Sequence, residues 1–362
     1  MAEHNYWLSR RLCLAIAGAA GLLGPLTSAA QIKVTRLAGN KSPGWADGKG
    51  AAARFCVPEG LDADSAGNVY LADMGNNRVR RITPAGLVST LAGGTPVDCG
   101  SMRDGGYGHA DGPPMAAQFY IPSDVAVDPK GNVYVADSFN RRLRKIAAGT
   151  GQVSTLAGGE EPTDDFIFGV AVHKSGTVYF TSNSSVYKVS PQGEVSLLAG
   201  AGKSDTVSYV NGRGAAVRFH SPTCLVVSES GTVYVADKGN GCIRAISPDG
   251  TVSTLVGNAP PATPGKRADF SYEFDGIADM ALSRQGMLYM LPSNCNCIHT
   301  VDTRTGIAGV PPEFESRDGK NWFWDAAGIA VDAHGSVYVS DSRQNCLWVL
   351  SPAAARPGRL PK

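Results

Sequence analysis

Two stretches of the chain consist of nearly the same sixteen letters. Residues 67–82 read GNVYLADMGNNRVRRI, and residues 131–146 read GNVYVADSFNRRLRKI. The tyrosine of this stretch occurs six times, always with a glycine three residues before it. A glycine there predicts a tight turn with positive φ, because only glycine enters that conformation without steric cost. The six tyrosines are Tyr70, Tyr134, Tyr179, Tyr234, Tyr289 and Tyr338.

Each tyrosine lies in a unit of four short apolar strands. In the first unit the strands lie near residues 60–63, 69–73, 78–82 and 88–93, with turn sequences such as TPAG between them. The second strand is apolar on both faces, as expected for a strand that is packed between other sheets. Four-stranded units that recur on average about every 54 residues are typical of propeller blades.

The fourth strand, with the pattern VSTLAG, indicates how the chain closes. A copy follows each of the first five units, the fifth only as a weak version ending at Gly309, and no copy follows the sixth. A similar segment, Val34 to Gly39, stands alone before the first unit. The sequence therefore predicts an all-β fold, a six-bladed β-propeller with four antiparallel strands per blade, closed by the N-terminal strand completing the last blade.

The repeated run also resembles a known family. The pattern P-x-G-x-x-x-D-x-x-G-N-V-Y-x-A-D-x-x-N-x-R-V-x-x-I, from Pro58 to Ile82 and from Pro122 to Ile146 with Asp124 for the first glycine, resembles the NHL repeat. The third and fifth copies are degenerate, but the resemblance covers residues 31–352. It implies the same six-bladed propeller and little about activity, because such folds serve as binding platforms and as enzymes.

The first thirty residues are predicted to be a signal peptide and not part of the propeller. The pair Arg10-Arg11 precedes a short apolar stretch, residues 12–26, which ends in small residues before Gln31. The stretch is too short and too interrupted by glycine for a membrane span. The arginine pair also fits a twin-arginine signal. Either export route places the mature chain in the periplasm or outside the cell, and residues 353–362 are predicted to be a C-terminal tail.

The charge balance argues against two classes of partner. Lys and Arg number 33 against 32 Asp and Glu, so the net charge is +1. No strong field draws such a chain to nucleic acid or to an anionic membrane. We therefore expect the partner to be a protein, a glycan or a small molecule. We also expect the chain to be a monomer.

The candidate binding residues are those that break the repeat at the first strands. Glu59, Asp124 and Asp279 place carboxylates near the predicted channel mouth, and Asp62 replaces an alanine or valine further along its strand. Converging carboxylates predict a site for Ca²⁺, another divalent cation, or a cationic or polyol ligand. Solvated side chains without a ligand are the alternative. The predicted ligand-binding residues are Glu59, Asp62, Ser123, Asp124, Thr223 and Asp279.

Two repeated features are interpreted as structural. Aspartates at the ends of second strands are expected to accept backbone hydrogen bonds; they are Asp73, Asp137, Asp237 and Asp341. The loops before units 1, 2 and 4 repeat an Asx-Gly turn and an aromatic residue, which is expected to fill a gap between blades. The alternative is that these loops form the rim of a pocket. The aromatic residues are Phe55, Phe119 and Phe219.

Seven cysteines follow the predicted signal peptide, and an exported chain can form disulfides. Cys224 and Cys242 belong to one unit, but the second strand lies between them, and their separation can exceed the bridging limit. The CxC pair at 295–297 has no histidine cluster, so a zinc site is not expected. The disulfide candidates, of unassigned connectivity, are Cys224, Cys242, Cys295, Cys297 and Cys346.

Three classes of enzyme with propeller folds need particular residues, and the sequence can be checked for each set. An amidating lyase needs several channel histidines, and no aligned channel position here is His. A gluconolactonase-like hydrolase needs Glu, Asn and Asp around a divalent ion; Glu59 fits the first, but no Asn is placed in the channel. A virginiamycin-type lyase uses a catalytic His and another blade count. The sequence predicts a non-catalytic exported binding platform that acts through its loop-rich top face and channel mouth, with a metal-dependent hydrolase or lyase as the alternative.

Overall fold

The structure, a computed structural model, describes residues 32–94, 99, 108–159, 165–201, 208–257, 276–293, 297–311 and 323–352. These residues form six antiparallel sheets of four or five strands. The inner strands of consecutive blades lie side by side around a central channel, and the sixth lies beside the first. The fold is therefore the six-bladed β-propeller that the repeat predicts. The predicted signal peptide, residues 1–30, and the predicted tail, residues 353–362, lie outside the described residues.

The chain begins with an outer strand of the last blade and then forms blades 1 to 3. That outer strand is β1 (Ile32–Gly39). Blade 1 contains β2 (Gly48–Lys49), β3 (Pro58–Ala63), β4 (Val69–Asp73), β5 (Arg78–Ile82) and β6 (Leu87–Ala92). Blade 2 contains β7 (Pro122–Val127), β8 (Val133–Asp137), β9 (Arg142–Ile146) and β10 (Val153–Gly158). Blade 3 contains β11 (Ile167–Val172), β12 (Val178–Ser182), β13 (Ser185–Val189) and β14 (Val195–Gly200).

Blades 4 to 6 repeat the same order from the channel outward. Blade 4 contains β15 (Gly212–Arg213), β16 (Pro222–Val227), β17 (Val233–Asp237), β18 (Cys242–Ile246) and β19 (Thr251–Gly257). Blade 5 contains β20 (Ile277–Leu282), β21 (Met287–Pro292), β22 (His299–Asp302) and β23 (Ala308–Gly309). Blade 6 contains β24 (Ala326–Val331), β25 (Val337–Asp341) and β26 (Cys346–Pro352), with β1 outermost. The helical segments of the described chain are single 3-10 turns at Gly50–Ala52, Met74–Asn76, Ser138–Asn140, Gly214–Ala216 and Lys238–Asn240.

The N-terminal strand completes blade 6. β1 pairs antiparallel with β26, from Ile32 opposite Pro352 to Gly39 opposite Cys346, with one irregularity between Arg36 and Ala38. The orphan strand therefore fills the place that the sixth unit leaves empty. Val34 and Leu37 are only half-buried. Their burial therefore contributes less than the roughly 1.5–3 kcal/mol that a fully buried aliphatic side chain contributes, and the backbone ladder carries more of the closure.

The glycine of each unit makes the turn that the sequence predicts. In all six units this glycine has φ between 78° and 89°, the region that other residues enter only with strain. The turn joins the first strand to the second. The second strands of blades 1, 2, 3, 4 and 6 are buried at every residue, which explains why they are apolar on both faces.

The ring has two distinct faces. The loop face is formed by the segments that lead into the first strands and by the connections between second and third strands. The hairpin face, on the opposite side, is formed by the turns between first and second strands and between third and fourth strands. These two names are used below.

A buried arginine organises blade 1. Arg80 is fully buried and donates to Asp73 Oδ2 at 2.6 Å and to Asp47 Oδ1 at 2.7 Å. Its guanidinium lies 5.2 Å from the centre of the Phe55 ring. Asp73 also accepts the backbone N–H of Cys56 at 2.8 Å. This arrangement, the arginine clamp, ties the loop before β3 to the middle of the blade.

The arginine clamp recurs in blades 2 and 4. In each, the arginine donates to the aspartate that ends the second strand and to an Asx residue 33 positions earlier, and it lies 5.2 Å from a buried phenylalanine ring. The residues are Arg144 with Asp137, Asp111 and Phe119, and Arg244 with Asp237, Asn211 and Phe219. The structural interpretation of the repeated aspartates and phenylalanines is confirmed. The arginines were not singled out from the sequence, although their spacing from the Asx-Gly turns is constant.

The disulfide candidates require a correction. Cys224, Cys242 and Cys346 are free and buried, so the prediction of a bridge is wrong for these three. Burial raises the pKa of Cys242 and Cys346 to about 12. Cys297 is disulfide-bonded, and Cys295 lies outside the described residues. A bridge joins two other cysteines, Cys56 and Cys99, across 43 residues of chain.

Candidate functional site

The channel contains a cavity of about 260 Å³. Its wall consists of the later residues of the inner strands, such as Leu61–Ala63 and Asp124–Val127, and of residues in first-to-second-strand turns, such as Ser65, Arg284 and Asp332. Since those turns form the hairpin face, the cavity lies in that half of the channel. The sequence predicts an acidic site at the mouth of the loop-rich face instead.

Three of the six predicted ligand-binding residues line this cavity, namely Asp62, Asp124 and Asp279. The Oδ1 atom of each carboxylate accepts the N–H of the next residue in its own strand at 2.8 Å. The Oδ2 atom accepts an N–H from the inner strand of the following blade at 2.8–2.9 Å; the donors are Val127, Val170 and Ile329. The carboxylates therefore join blades 1 and 2, 2 and 3, and 5 and 6.

These three carboxyl groups have strongly shifted pKa values. Burial raises the pKa of Asp62 to about 6 and that of Asp279 to about 7, against the opposing effect of their backbone hydrogen bonds. Burial, followed by the charge of Asp279, raises the pKa of Asp124 well above its ordinary value. Desolvation penalises the charged form more than two N–H donors favour it. These carboxyl groups therefore stay protonated to a higher pH than an aspartate in water.

The other three predicted residues, Glu59, Ser123 and Thr223, do not line the cavity. Each is the second residue of an inner strand, nearer the loop face. Burial, and then the charge of Asp325, raises the pKa of Glu59 to about 7. The main-chain oxygen of Glu59 accepts the hydroxyl of Ser340 at 2.7 Å. The structure therefore separates the six predicted residues into two groups at different depths of the channel.

Hydroxyl groups join blades where the inner strand has a glycine instead of an aspartate. Thr181 Oγ1 accepts the N–H of Gly169 at 2.9 Å and donates to the carbonyl of Thr223 in blade 4. Ser340 Oγ accepts the N–H of Gly328 at 2.8 Å and donates to Glu59 in blade 1. An added Cβ at Gly169 or Gly328 would come within 2.6 Å of backbone atoms of the next blade. This role is not predicted from the sequence, although a hydroxyl replaces alanine in both second strands.

The loop face carries the exposed aromatic side chains of the described chain. Trp45, Phe139, Phe168 and Trp324 are 47%, 47%, 39% and 56% exposed, and all four lie on this face. The other large exposed hydrophobic residues are aliphatic, and two of them, Leu87 and Ile307, lie near hairpin-face turns.

Two of these rings belong to a continuous row on blades 2 and 3. The rings of Tyr120, Phe139, Phe166 and Phe168 follow one another with centroid distances of 5.3, 5.6 and 6.2 Å. Arg141 lies over the Phe166 ring at 5.1 Å. We name these four side chains the aromatic row. It leads from blade 2 to the inner strand of blade 3, where Phe168 aligns with Glu59 and Ser123.

A second aromatic position on the loop face lies in blade 6. Trp324 is flanked by two cations, Lys41 Nζ and Arg343 Cζ, each 5.4 Å from its ring centroid. Lys41 follows the closing strand β1, so this contact joins the N-terminal segment to the last blade. The loop face thus combines exposed rings with basic side chains.

Two features of the described residues bear on the predicted functions. No group of three or more His, Cys, Asp or Glu side chains in these parts of the chain has an arrangement that would hold a metal ion. Within the same ranges, no helix has the length and apolar character needed to cross a bilayer.

Comparison with protein families and curated proteins identifies the repeat. The description "Teneurin NHL domain" matches residues 64–147, and "NHL repeat" matches residues 219–246 and 323–350. The chain is similar to teneurin-3 of Mus musculus, with 26% identity over 272 residues, which cover 65% of this chain and 10% of the teneurin. The chain therefore spans about a tenth of the length of the curated relative that it matches.

Solved structures show the same architecture at lower identity. A protein of unknown function from Bacteroides thetaiotaomicron superposes with a TM-score of 0.63 at 18% identity, covering 88% of this chain and 76% of that one. A gluconolactonase from Xanthomonas campestris superposes with a TM-score of 0.56 at 16% identity, covering 88% and 89%. At such identities the similarity shows the fold alone.

Proposed function

The chain is an NHL-repeat six-bladed β-propeller, and from that premise we propose that it is an exported binding platform that holds a partner protein on its loop face. The observation that carries the proposal is the distribution of exposed rings. All four exposed aromatic side chains of the described chain lie on that one face. Exposed apolar surface of this kind costs solubility, and on soluble proteins it commonly marks an interaction site.

The composition of the face supports a protein partner. Aromatic residues and arginine are enriched at the centres of protein interfaces, where they contribute most of the binding energy. The aromatic row offers such a surface together with Arg141. Trp324, between Lys41 and Arg343, offers a second anchor of the same type.

Export is part of the proposal and has two independent supports. The first is the signal-like sequence of residues 1–30. The second is the disulfide between Cys56 and Cys99, since disulfides persist in oxidising compartments and are rare in the cytosol.

The alternative predicted from the sequence, a metal-dependent hydrolase or lyase, has no observation in its favour in the described part of the chain. Asp62, Asp124 and Asp279 use both carboxylate oxygens to accept backbone N–H groups. We therefore propose no catalytic function.

The proposal can be tested by comparing two sets of surface variants in affinity capture. Phe139→Ser with Phe168→Ser alters the loop face, and Leu87→Ser, a residue that is 51% exposed, alters the hairpin side of blade 1. Proteins captured from the exported fraction of the source cells would be quantified for the wild type and both variants. We expect a specific partner that is lost with the loop-face variant and retained with Leu87→Ser.

Thermal unfolding of the three proteins is the control, because all three substitutions are at exposed positions and should leave the midpoint nearly unchanged. A partner that is retained by the loop-face variant, or lost equally from both variants, would contradict the proposal.

A further inference from the structure

The three cavity-lining aspartates hold the inner ring together in an unusual way. Asp62, Asp124 and Asp279 each bridge two neighbouring inner strands through backbone N–H groups. A buried carboxylate that accepts two such bonds is well satisfied in hydrogen bonding. Solvation is limited, because Asp124 and Asp279 are buried, Asp62 is partly buried, and the strand residues beside them, such as Val170 and Ile329, are apolar.

The charged groups around the cavity are mostly acidic. Besides the three aspartates, its wall includes Asp64 and Asp332, and the charge of Glu59 acts on Asp279. The basic side chain of the wall is Arg284, which is exposed, and the neutral thiol of Cys224 faces Asp124 and Asp279. Asp64 and Asp332 have their own donors, among them the hydroxyls of Tyr70 and Tyr338. No buried cation of the cavity wall therefore compensates the three bridging carboxylates.

We propose that Asp62, Asp124 and Asp279 form a proton-controlled lock on the propeller ring. The three bridges stabilise the ring when the carboxyl groups are protonated, and they stabilise it less as the protons are lost. The bridging bonds fix each carboxyl group in place, so that it cannot turn to solvent when it ionises. The negative charges then accumulate in one cavity of about 260 Å³. Each new charge repels those already present, and the inner strands that they join are the elements on which this repulsion acts.

The direction of the pH effect follows from the shifted titrations. The pKa is raised to about 6 for Asp62 and to about 7 for Asp279, whereas an unfolded aspartate titrates near pH 3.9. Between these values the folded chain binds more protons than the unfolded chain. The stabilisation is thus fully present below about pH 4 and is lost as the pH rises through about 6 to 7.

The test compares the wild type with Asp279→Asn in urea unfolding at pH 5, 6, 7 and 8. Asparagine keeps the size of the side chain but does not titrate, and its NH₂ group cannot accept the second N–H. We expect the variant to be the less stable protein at pH 5. The ratio of the wild-type unfolding equilibrium constant to that of the variant should rise by up to about tenfold per pH unit between pH 5 and 7. The free energies of unfolding of the two proteins therefore converge towards pH 8.

Asp302→Asn provides the matched control. Hydrogen bonds from Arg304 lower the pKa of the partly exposed Asp302 to about 2, so this substitution removes a carboxylate without changing the slope between pH 5 and 8. Parallel curves for the wild type and Asp279→Asn over that range would overturn the proposal. So would an Asp302→Asn protein with the same change of slope as Asp279→Asn.

Hydrogen exchange of the wild-type protein keeps the proposal testable even where Asp279→Asn does not fold. The protection factors, corrected for intrinsic exchange rates, are compared for the N–H groups of Val127, Val170 and Ile329. They should fall more steeply from pH 5 to 8 than the protection factors of β13, whose residues include no carboxylate. Equal pH dependence at all these sites would contradict a lock located in the inner strands.

Discussion

Blades 1, 2 and 4 are built around a buried arginine, whereas blades 3, 5 and 6 have Tyr187, His299 and Trp348 at the corresponding position of the third strand. In the first group, an Asx-Gly loop before the inner strand provides a second acceptor for the guanidinium. A buried arginine without those acceptors would be strongly unfavourable. The comparison teaches that in blades 1, 2 and 4 the buried arginine and the loop that supplies its second acceptor occur together.

The largest effect is expected from removing β1, the outer strand that closes blade 6. Deletion of residues 31–40 removes β1 and exposes β26. Because the ring is then open, we expect the loss of most of a global stability that is typically about 5–15 kcal/mol. Urea unfolding measures this loss of stability. Deletion of residues 353–362, an equally long segment that the sequence places after the last blade, is the control; an unchanged midpoint for the first deletion would refute the closure.

A smaller effect is expected from breaking the clamp in one blade. Arg144→Met leaves Asp137 buried without its cation, which should cost about 3–5 kcal/mol in the free energy of unfolding. Tyr187→Met changes the corresponding position of blade 3, where no buried charge is left unpaired, and should cost less. Equal losses in denaturant unfolding would mean that the clamp is not what distinguishes the two kinds of blade.

The contrast between scaffold and surface can be sharpened within blade 2. Phe119 is fully buried against Arg144, whereas Phe139 is 47% exposed in the aromatic row. Phe119→Ala should lower the free energy of unfolding by about 3–5 kcal/mol, and Phe139→Ala by less than about 1 kcal/mol. Thermal or urea unfolding measures both. A large loss with Phe139→Ala would mean that this ring supports the fold instead of a partner.

The smallest effect is expected at the free thiols. Burial raises the pKa of Cys242 and Cys346 to about 12, so neither forms the reactive thiolate near neutral pH. Cys224, also free and buried, should be equally inert. Treatment of the folded protein with iodoacetamide at pH 8, followed by peptide mass spectrometry, should leave all three unmodified, while the urea-unfolded protein should be modified at each. Rapid modification of the folded chain would contradict their burial.

Much of the architecture was predictable because it depends on residues that are close together in the sequence. The glycine before each tyrosine, the turn sequences and the doubly apolar second strands set the number of blades, and the vacancy after Tyr338 indicated the closure. The constant spacing between Asp47 and Arg80, repeated in blades 2 and 4, was available in the sequence as well. It was missed because an arginine in a strand ordinarily reads as a solvent-exposed residue.

The candidate site was predictable only in part. The sequence identified Asp62, Asp124 and Asp279 as exceptions to the repeat, but it grouped them with Glu59 at one channel mouth. Whether each carboxylate faces the channel depends on which face of the strand it occupies, and a β-bulge early in each of these three inner strands shifts that register. The Cys56–Cys99 bridge was likewise hidden, because cysteine spacing does not reveal connectivity.

By itself, the sequence determined the all-β repeat, the six blades and the strand that closes them, since each follows from turns and apolar patterns within a few residues. Only the tertiary structure decided that the channel aspartates join neighbouring blades and that the exposed rings gather on one face. The physical reason is distance along the chain. Asp62 meets Val127 at a separation of 65 residues and Asp124 meets Val170 at 46, so that the ring must close before such partners are defined.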